Sequence, residues 1–287
     1  MRAPGGLAAL LVSVVAAVAP RAQEATFRAS ADAVSVGVSV LRGGRPVPGL
    51  AVTDFQILDN GVAQAIATLS YGKVPMDLTV LLDISGSVSG RVIDQLRQSA
   101  SDLQKTLQPA DRLRLVTFNM RVHRLLDVQA NQGGLGAAFA SLAPSGSSAV
   151  MDALAVALAS STDPDRRQFV VLLSDGKDSV SITTPEVLLE TARRTSPTVS
   201  VVLATPIRRA ADKIYADLAA ETGGTTVALL PTETLGSQLR RTVETFRSSY
   251  VLTYTPTGVA REGAHALEVR VQRPLVDVRA RRGYVVR

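Results

Sequence analysis

Cysteine is absent from the 287 residues. That removes disulfides, zinc–thiolate centres, cysteine nucleophiles and a lipidated N-terminal cysteine from consideration. Histidine is nearly absent too: only His123 and His265 occur, each in a strand-like setting and neither in a recognisable catalytic motif. No dense Lys/Arg run is interleaved with aromatic residues, which argues against a nucleic-acid partner. The formal charge of +6, or +4 if Arg2 and Arg21 leave with a leader, describes a mildly basic surface. Beyond the N-terminus no apolar run is long enough to cross a bilayer. Repeats and low-complexity segments are missing as well.

What is present falls into four stretches. Residues 1–22 read as a secretory signal: Arg2 gives a short basic start, Leu7 to Ala19 is apolar, and a cleavage point lies near Ala22. The alternative, an uncleaved anchor, is disfavoured because the run is short for a spanning helix. An exported chain without disulfides suits a bacterial periplasm or secretion into the medium.

Residues 23–75 have strand patterning. Val34, Val36, Val38 and Val40 alternate with small or polar residues, giving one buried face. Phe55–Leu58 and Ala63–Leu69 flank Asp59-Asn60-Gly61, a hairpin signal because Asn-Gly accepts the positive φ of a tight turn. About fifty residues form a marginal core alone, so this segment needs further strands. They are available at the other end: residues 248–287 contain strand patterns at Tyr250–Tyr254, Leu267–Val271 and Val276–Ala280. The expectation is that 23–75 and 248–287 pair into one β-sandwich.

Between them, residues 76–247 alternate apolar strands with amphipathic helices. Val92, Ile93, Leu96, Ala100, Leu103 and Leu107 mark one face of the first helix. The fold class is therefore α/β, a doubly wound and mostly parallel sheet with helices on both faces, beside the β-sandwich. In such a sheet ligands sit beyond the carboxyl ends of the strands.

The chemistry concentrates there. The strand Leu78–Leu82 runs into Asp83-Ile84-Ser85-Gly86-Ser87, where a carboxylate and two hydroxyls at alternate positions can converge. Hard oxygen donors of low total charge suit Mg²⁺ or Mn²⁺. The ordinary alternative is that Asp83 caps the next helix. A second apolar strand, Phe169–Leu173, ends in Ser174-Asp175-Gly176. A hydroxyl-rich loop, Ser145-Gly146-Ser147-Ser148, opens a helix that carries Asp152.

Together these stretches resemble the von Willebrand factor type A domain with its metal-ion-dependent adhesion site. The family pattern is D-x-S-x-S, then a Thr in a Gly-rich loop, then an Asp before Gly. The first part is complete here and the last is matched by Asp175. The middle departs: Ser148 stands in place of Thr, judged by the four-residue step to Asp152, with Ser147 the other candidate. Pro46-Val47-Pro48-Gly49-Leu50, Asp54-Phe55 and the Arg281-Arg282-Gly283-Tyr284 ending resemble bacterial exported proteins of the same group. The resemblance implies Asp83, Ser85, Ser87, Ser148 and Asp175 as metal ligands, with one position left for an Asp or Glu of a partner protein and no catalysis. Gly86 and Gly176 would let the backbone turn near the ion, and Asp152 either orients Ser148 or is an ordinary solvated or capping acid. Lys177, Arg208 and Arg209 would sit on the rim and steer acidic partners.

Three other readings compete. A haloacid-dehalogenase-like phosphatase needs a second acid where Ser85 stands. A serine hydrolase needs G-x-S-x-G, which Gly86–Gly90 does not supply. A scaffold domain with a vestigial site needs nothing further, and the Ser148 departure leaves room for it.

Overall fold

The computed structural model describes residues 33–88, 90–130, 134–160, 163, 165–204, 213–230 and 232–286; the expected leader lies outside them. The alternating valines form β1 (Val34–Arg42), with Val36, Val38 and Val40 buried. A tight turn brings β2 (Arg45–Pro46) back onto β1. β3 (Phe55–Asp59) and β4 (Val62–Gln64) are the hairpin signalled by Asn60-Gly61, which take φ of 48° and 80°.

The strand expected over Ala63–Leu69 is in fact two. β4 stays with β3, whereas β5 (Ile66–Tyr71) leaves for the opposite sheet. The buried amide of Gln64 fixes the crossover, donating to Thr257 O at 3.0 Å and accepting from Thr257 N at 2.9 Å.

The central unit begins with β6 (Met76–Asp83), buried along its whole length. There follow α1 (Arg91–Thr106), β7 (Arg112–Phe118), β8 (Val122–Ala130), α2 (Leu135–Ala140), α3 (Val150–Ala159), β9 (Arg167–Ser174) and α4 (Pro185–Arg194). β10 (Thr198–Leu203), α5 (Lys213–Thr222), β11 (Thr226–Ala228) and α6 (Leu235–Arg247) complete it. The sheet order is β11-β10-β9-β6-β7-β8, parallel except for β8. Period-two geometry sends Leu78, Val80 and Leu82 into the core shared with α1, α2 and α6, and Leu81 into the core shared with α3, α4 and α5. The chain leaves β6 towards β7 on one side and later returns to β9 on the other. The crevice between the ends of β6 and β9 is thus the topological switch point, where such sheets bind ligands. Among the described residues no helix is long and apolar enough to cross a membrane.

The chain ends in β12 (Tyr250–Tyr254), β13 (Gly263–Val271), β14 (Asp277–Ala280) and β15 (Gly283–Val286). One sheet runs β14-β1-β12-β5, with β2 on β1, and the other runs β15-β13-β3-β4. They enclose Val36, Val38, Ile57, Tyr250, Leu252 and Tyr254, so the flanking β-sandwich is built from both terminal segments. β15 is too short for periodicity to announce. Gly283 permits it, because a Cβ there would run into the carbonyl of His265 on β13. Arg281 ties sandwich to central unit, donating from Nη2 to Thr195 O at the end of α4 (2.8 Å).

At the amino end of the parallel sheet the buried Asp77 accepts from Arg112 Nε (2.7 Å), Arg166 Nε (2.6 Å) and Gln168 Nε2 (3.2 Å). Burial alone would raise its pKa, but these donors prevail and hold the carboxyl below its ordinary value of 3.8. With the folded pKa depressed, the stabilisation is complete above the unfolded value and is lost as pH falls through the folded one. Asp77→Asn is expected to cost about 2 kcal/mol at neutral pH. The gap from wild type should shrink in urea midpoints measured at or below about pH 3. An equal gap at both pH values would show that the ionised carboxylate is not its source.

Candidate metal centre at the carboxyl end of the sheet

Asp83 is the last residue of β6 and is fully buried. It does not cap a helix: α1 starts beyond Gly90, and Asp83 Oδ1 instead accepts the N–H of Ser85 at 2.9 Å. The following turn brings Ser85 Oγ and Ser87 Oγ within 3.2 Å of each other. Gly86 is not among the residues with positive φ, so the turn there makes no demand for glycine; Gly176, at φ 81°, sits in a turn that does favour it.

Backbone hydrogen bonds lace the second loop onto the first. Ser145 N–H donates to Ile84 O (2.8 Å) and Gly86 N–H to Gly146 O (2.9 Å). That lacing brings the buried Ser148 to the carboxylate, where its Oγ–H donates to Asp83 Oδ2 at 3.1 Å.

The third contribution comes from β9. Parallel pairing of Leu82 with Leu173 sets Ser174 beside Asp83, and Ser174 Oγ–H donates to Asp83 Oδ2 at 2.6 Å while accepting from Gly176 N–H at 2.9 Å. Sequence reasoning assigned Ser174 no role. Its only local signal is its place between an apolar strand and Asp175. Asp175 follows, nearly buried, with Oδ1 accepting Lys177 N–H (3.0 Å) and Oδ2 lying 3.4 Å from Lys177 Nζ. Lys177 therefore pairs with Asp175 at the site itself. Arg208 and Arg209 lie outside the described residues.

Burial is the main force pushing the Asp83 carboxyl above its ordinary pKa. Hydrogen bonds from Ser174 and Ser85 oppose it, and the charge of Asp175 adds to it. Two carboxylates thus share a dry site in which further positive charge would be favourable.

Asp152 lies in the first turn of α3, and the hydrogen bonds of its carboxylate go to the loop after Asp175 and not to Ser148. Its carboxylate accepts Ile182 N–H (3.1 Å) and Thr183 N–H (2.8 Å). Burial works against its ionisation, but those bonds prevail and lower its pKa. Asp178 answers from the other side, accepting Met151 N–H (2.8 Å), Ser181 N–H (3.1 Å) and Ser181 Oγ–H (2.6 Å). The loop after Asp175 is therefore held to the start of α3 by two carboxylates.

Asp83, Ser85, Ser87, Ser148 and Asp175 all come to this one end of the sheet. The donor set is two carboxylates and several hydroxyls. Among the described residues no cluster of three or more His, Cys, Asp or Glu side chains forms a metal site. Oxygen donors of this kind fit Mg²⁺ or Mn²⁺ and do not fit soft, thiolate-seeking metals.

Comparison with known proteins agrees with this architecture. The family model of the von Willebrand factor type A domain matches residues 77–238. The uncharacterized protein sll0103 of Synechocystis sp. is 27% identical over 110 residues, which cover 37% of this chain and 26% of that protein. The chain thus matches about a quarter of that relative's length. A von Willebrand factor type A structure from Catenulispora acidiphila superposes with a TM-score of 0.53 at 12% identity, covering 88% of this chain and 73% of the other. Proximal thread matrix protein 1 of the mussel byssus gives 0.50 at 15% identity, covering 64% of this chain and 49% of its own. At such identities the likeness is one of fold.

Proposed function

Because this chain belongs to the von Willebrand factor type A domain family, whose members are typically protein-interaction or adhesion modules, we propose that it is a metal-dependent protein-binding module. In this reading Asp83, Ser85, Ser87, Ser148 and Asp175 hold Mg²⁺ or Mn²⁺. A divalent ion so held supplies an electrophile for an Asp or Glu carboxylate of a partner protein. The chain's own groups prepare the place. Asp83 and Asp175 offset the ion's charge, the serines contribute neutral oxygens, and Ser174 keeps Asp83 Oδ2 pointed in one direction. The leader-like N-terminus and the absence of cysteine support an exported bacterial protein.

One observation carries the reading. Hydroxyls from two separate elements, Ser148 and Ser174, converge on a single buried carboxylate oxygen whose ionised form burial disfavours. A carboxylate kept this dry beside a second one is costly unless a cation joins it.

The test is a titration of Mn²⁺ into the chelator-stripped protein, with free ion followed by EPR. One saturable site is expected, abolished by Asp175→Ala. Absence of binding up to millimolar metal in the folded protein would overturn the proposal in favour of a scaffold with a vestigial site.

A further inference from the structure

Three exposed apolar side chains stand around the loop that carries Ser148. Met120, in the turn between β7 and β8, is 60% exposed; Val180 and Ile182, between β9 and α4, are 42% and 91% exposed. Each is tied to the site through its neighbours. Met120 Cγ lies 3.7 Å from where a Cβ on Gly146 would be, and Gly146 O holds the Gly86 N–H between Ser85 and Ser87. Val180 N–H approaches Ser148 O at 3.3 Å. Ile182 N–H donates to Asp152, one helical turn beyond Ser148.

Single exposed apolar residues are ordinary on any surface. Three grouped about one polar site call for a reason, and folding supplies none, since none of them belongs to a core cluster. The backbone around Val180 and Ile182 is also held in place. Asp152 fixes Ile182 and Thr183, while Asp178 fixes Ser181 and the start of α3. A side chain presented on such a backbone loses little further freedom when a partner covers it.

We infer that this rim selects a partner protein segment in which the acidic residue is flanked by bulky apolar side chains; the inference rests on the metal-dependent reading above. Charge complementarity supports that occupant. At the metal centre a divalent ion offsets Asp83 and Asp175, and the Lys177 ammonium, 3.4 Å from Asp175, adds one positive charge there, while the Asp152 and Asp178 carboxylates are engaged by backbone N–H groups of the loop and of α3. One incoming carboxylate matches that positive charge. The residues on either side of that carboxylate then cover Met120, Val180 and Ile182 and remove their apolar surface from water. A segment with polar flanks gains the metal contact alone.

The experiment probes Mg²⁺-loaded protein, with chelator-treated protein in parallel, against short blocked peptides bearing a central Asp. The flanks are Leu and Val in one set and Ser and Asn in the other, and each peptide has a central-Asn control. Apolar-flanked Asp peptides are expected to bind about tenfold more tightly than polar-flanked ones, and only with Mg²⁺. Met120→Ser/Ile182→Ser should bring them down to the polar-flanked level. Mn²⁺ titration of that double variant checks that the centre is still formed. Equal binding of both sets, lost with chelator, would overturn the apolar rim and leave the metal clamp standing. Binding that persists in chelator or with central Asn, or no binding in any set, would overturn the rim together with the clamp.

Discussion

Asp83→Asn is expected to keep the fold and lose the metal. The amide retains an acceptor for Ser85 N–H, so the turn after β6 survives. Its NH₂ faces Ser148 and Ser174, whose hydroxyls now donate to Asp83 Oδ2. A hydroxyl has both a proton and lone pairs, so each can reverse and accept. The substitution also removes a buried charge that the protein alone stabilises poorly. Stability without metal should therefore change by less than about 1 kcal/mol in either direction. With metal the two proteins part. A ligand at one hundred times its Kd stabilises by about 2.7 kcal/mol, which at this size raises Tm by roughly 5–10 °C. Wild type should show that shift with Mg²⁺ or Mn²⁺, and Asp83→Asn should show none. A full metal-induced shift in the variant would move the site away from Asp83.

Asp59→Ala is expected to weaken the β-sandwich by about 3–5 kcal/mol. Asp59 is fully buried and accepts from Tyr254 OH, Tyr284 OH and His265 Nδ1, each at 2.8 Å. The four residues belong to β3, β12, β15 and β13, so this one carboxylate joins both sheets. His265 stacks on Tyr284 with ring centroids 4.4 Å apart, and its Nε2 has no hydrogen-bond partner among the described residues. With Nδ1 as donor, that nitrogen is a bare lone pair, which a dry site tolerates better than an unpaired N–H. Burial foremost pushes the Tyr254 phenol strongly up and the Tyr284 phenol up to about 12, so both stay protonated donors at neutral pH. Alanine would remove the close acceptor of three donors at once, leaving only the longer Tyr254 OH to Tyr284 OH contact at 3.4 Å. Thermal melting should fall by on the order of 10 °C, and Asp59→Asn, which keeps one acceptor, should recover about half of the loss. A melting point within a degree of wild type for Asp59→Ala would mean that water or rearrangement satisfies the three donors.

The two cases differ in how far the chain announces them. Asp83, Ser85 and Ser87 are neighbours, and their alternation after an apolar run is visible in ten residues. The Asn60-Gly61 turn, the buried β6 and the amphipathic face of α1 are equally local, because period and turn chemistry act within one element. The Asp59 cluster is different. His265 lies 206 residues from Asp59 and read only as one residue of a strand. The division of the strand at Ala65 escaped for a related reason: alternation continues across it, and only the partner strands tell which sheet each half joins.

The same division runs through the candidate site. Local pattern determined that one strand runs into Asp83 and another into a turn carrying Asp175, that a hydroxyl loop opens a helix between them, and that both flanks must pair. Tertiary structure alone decided that β6 and β9 are adjacent and parallel in a register that sets Ser174, 91 residues away, against Asp83 Oδ2. It also decided that the 145–148 loop folds over the β6 turn, and that Asp152 and Asp178 hold the rim. Side-chain period follows from backbone geometry within each strand, whereas neighbour and register follow from how whole faces bury one another, and no short window of sequence contains that choice.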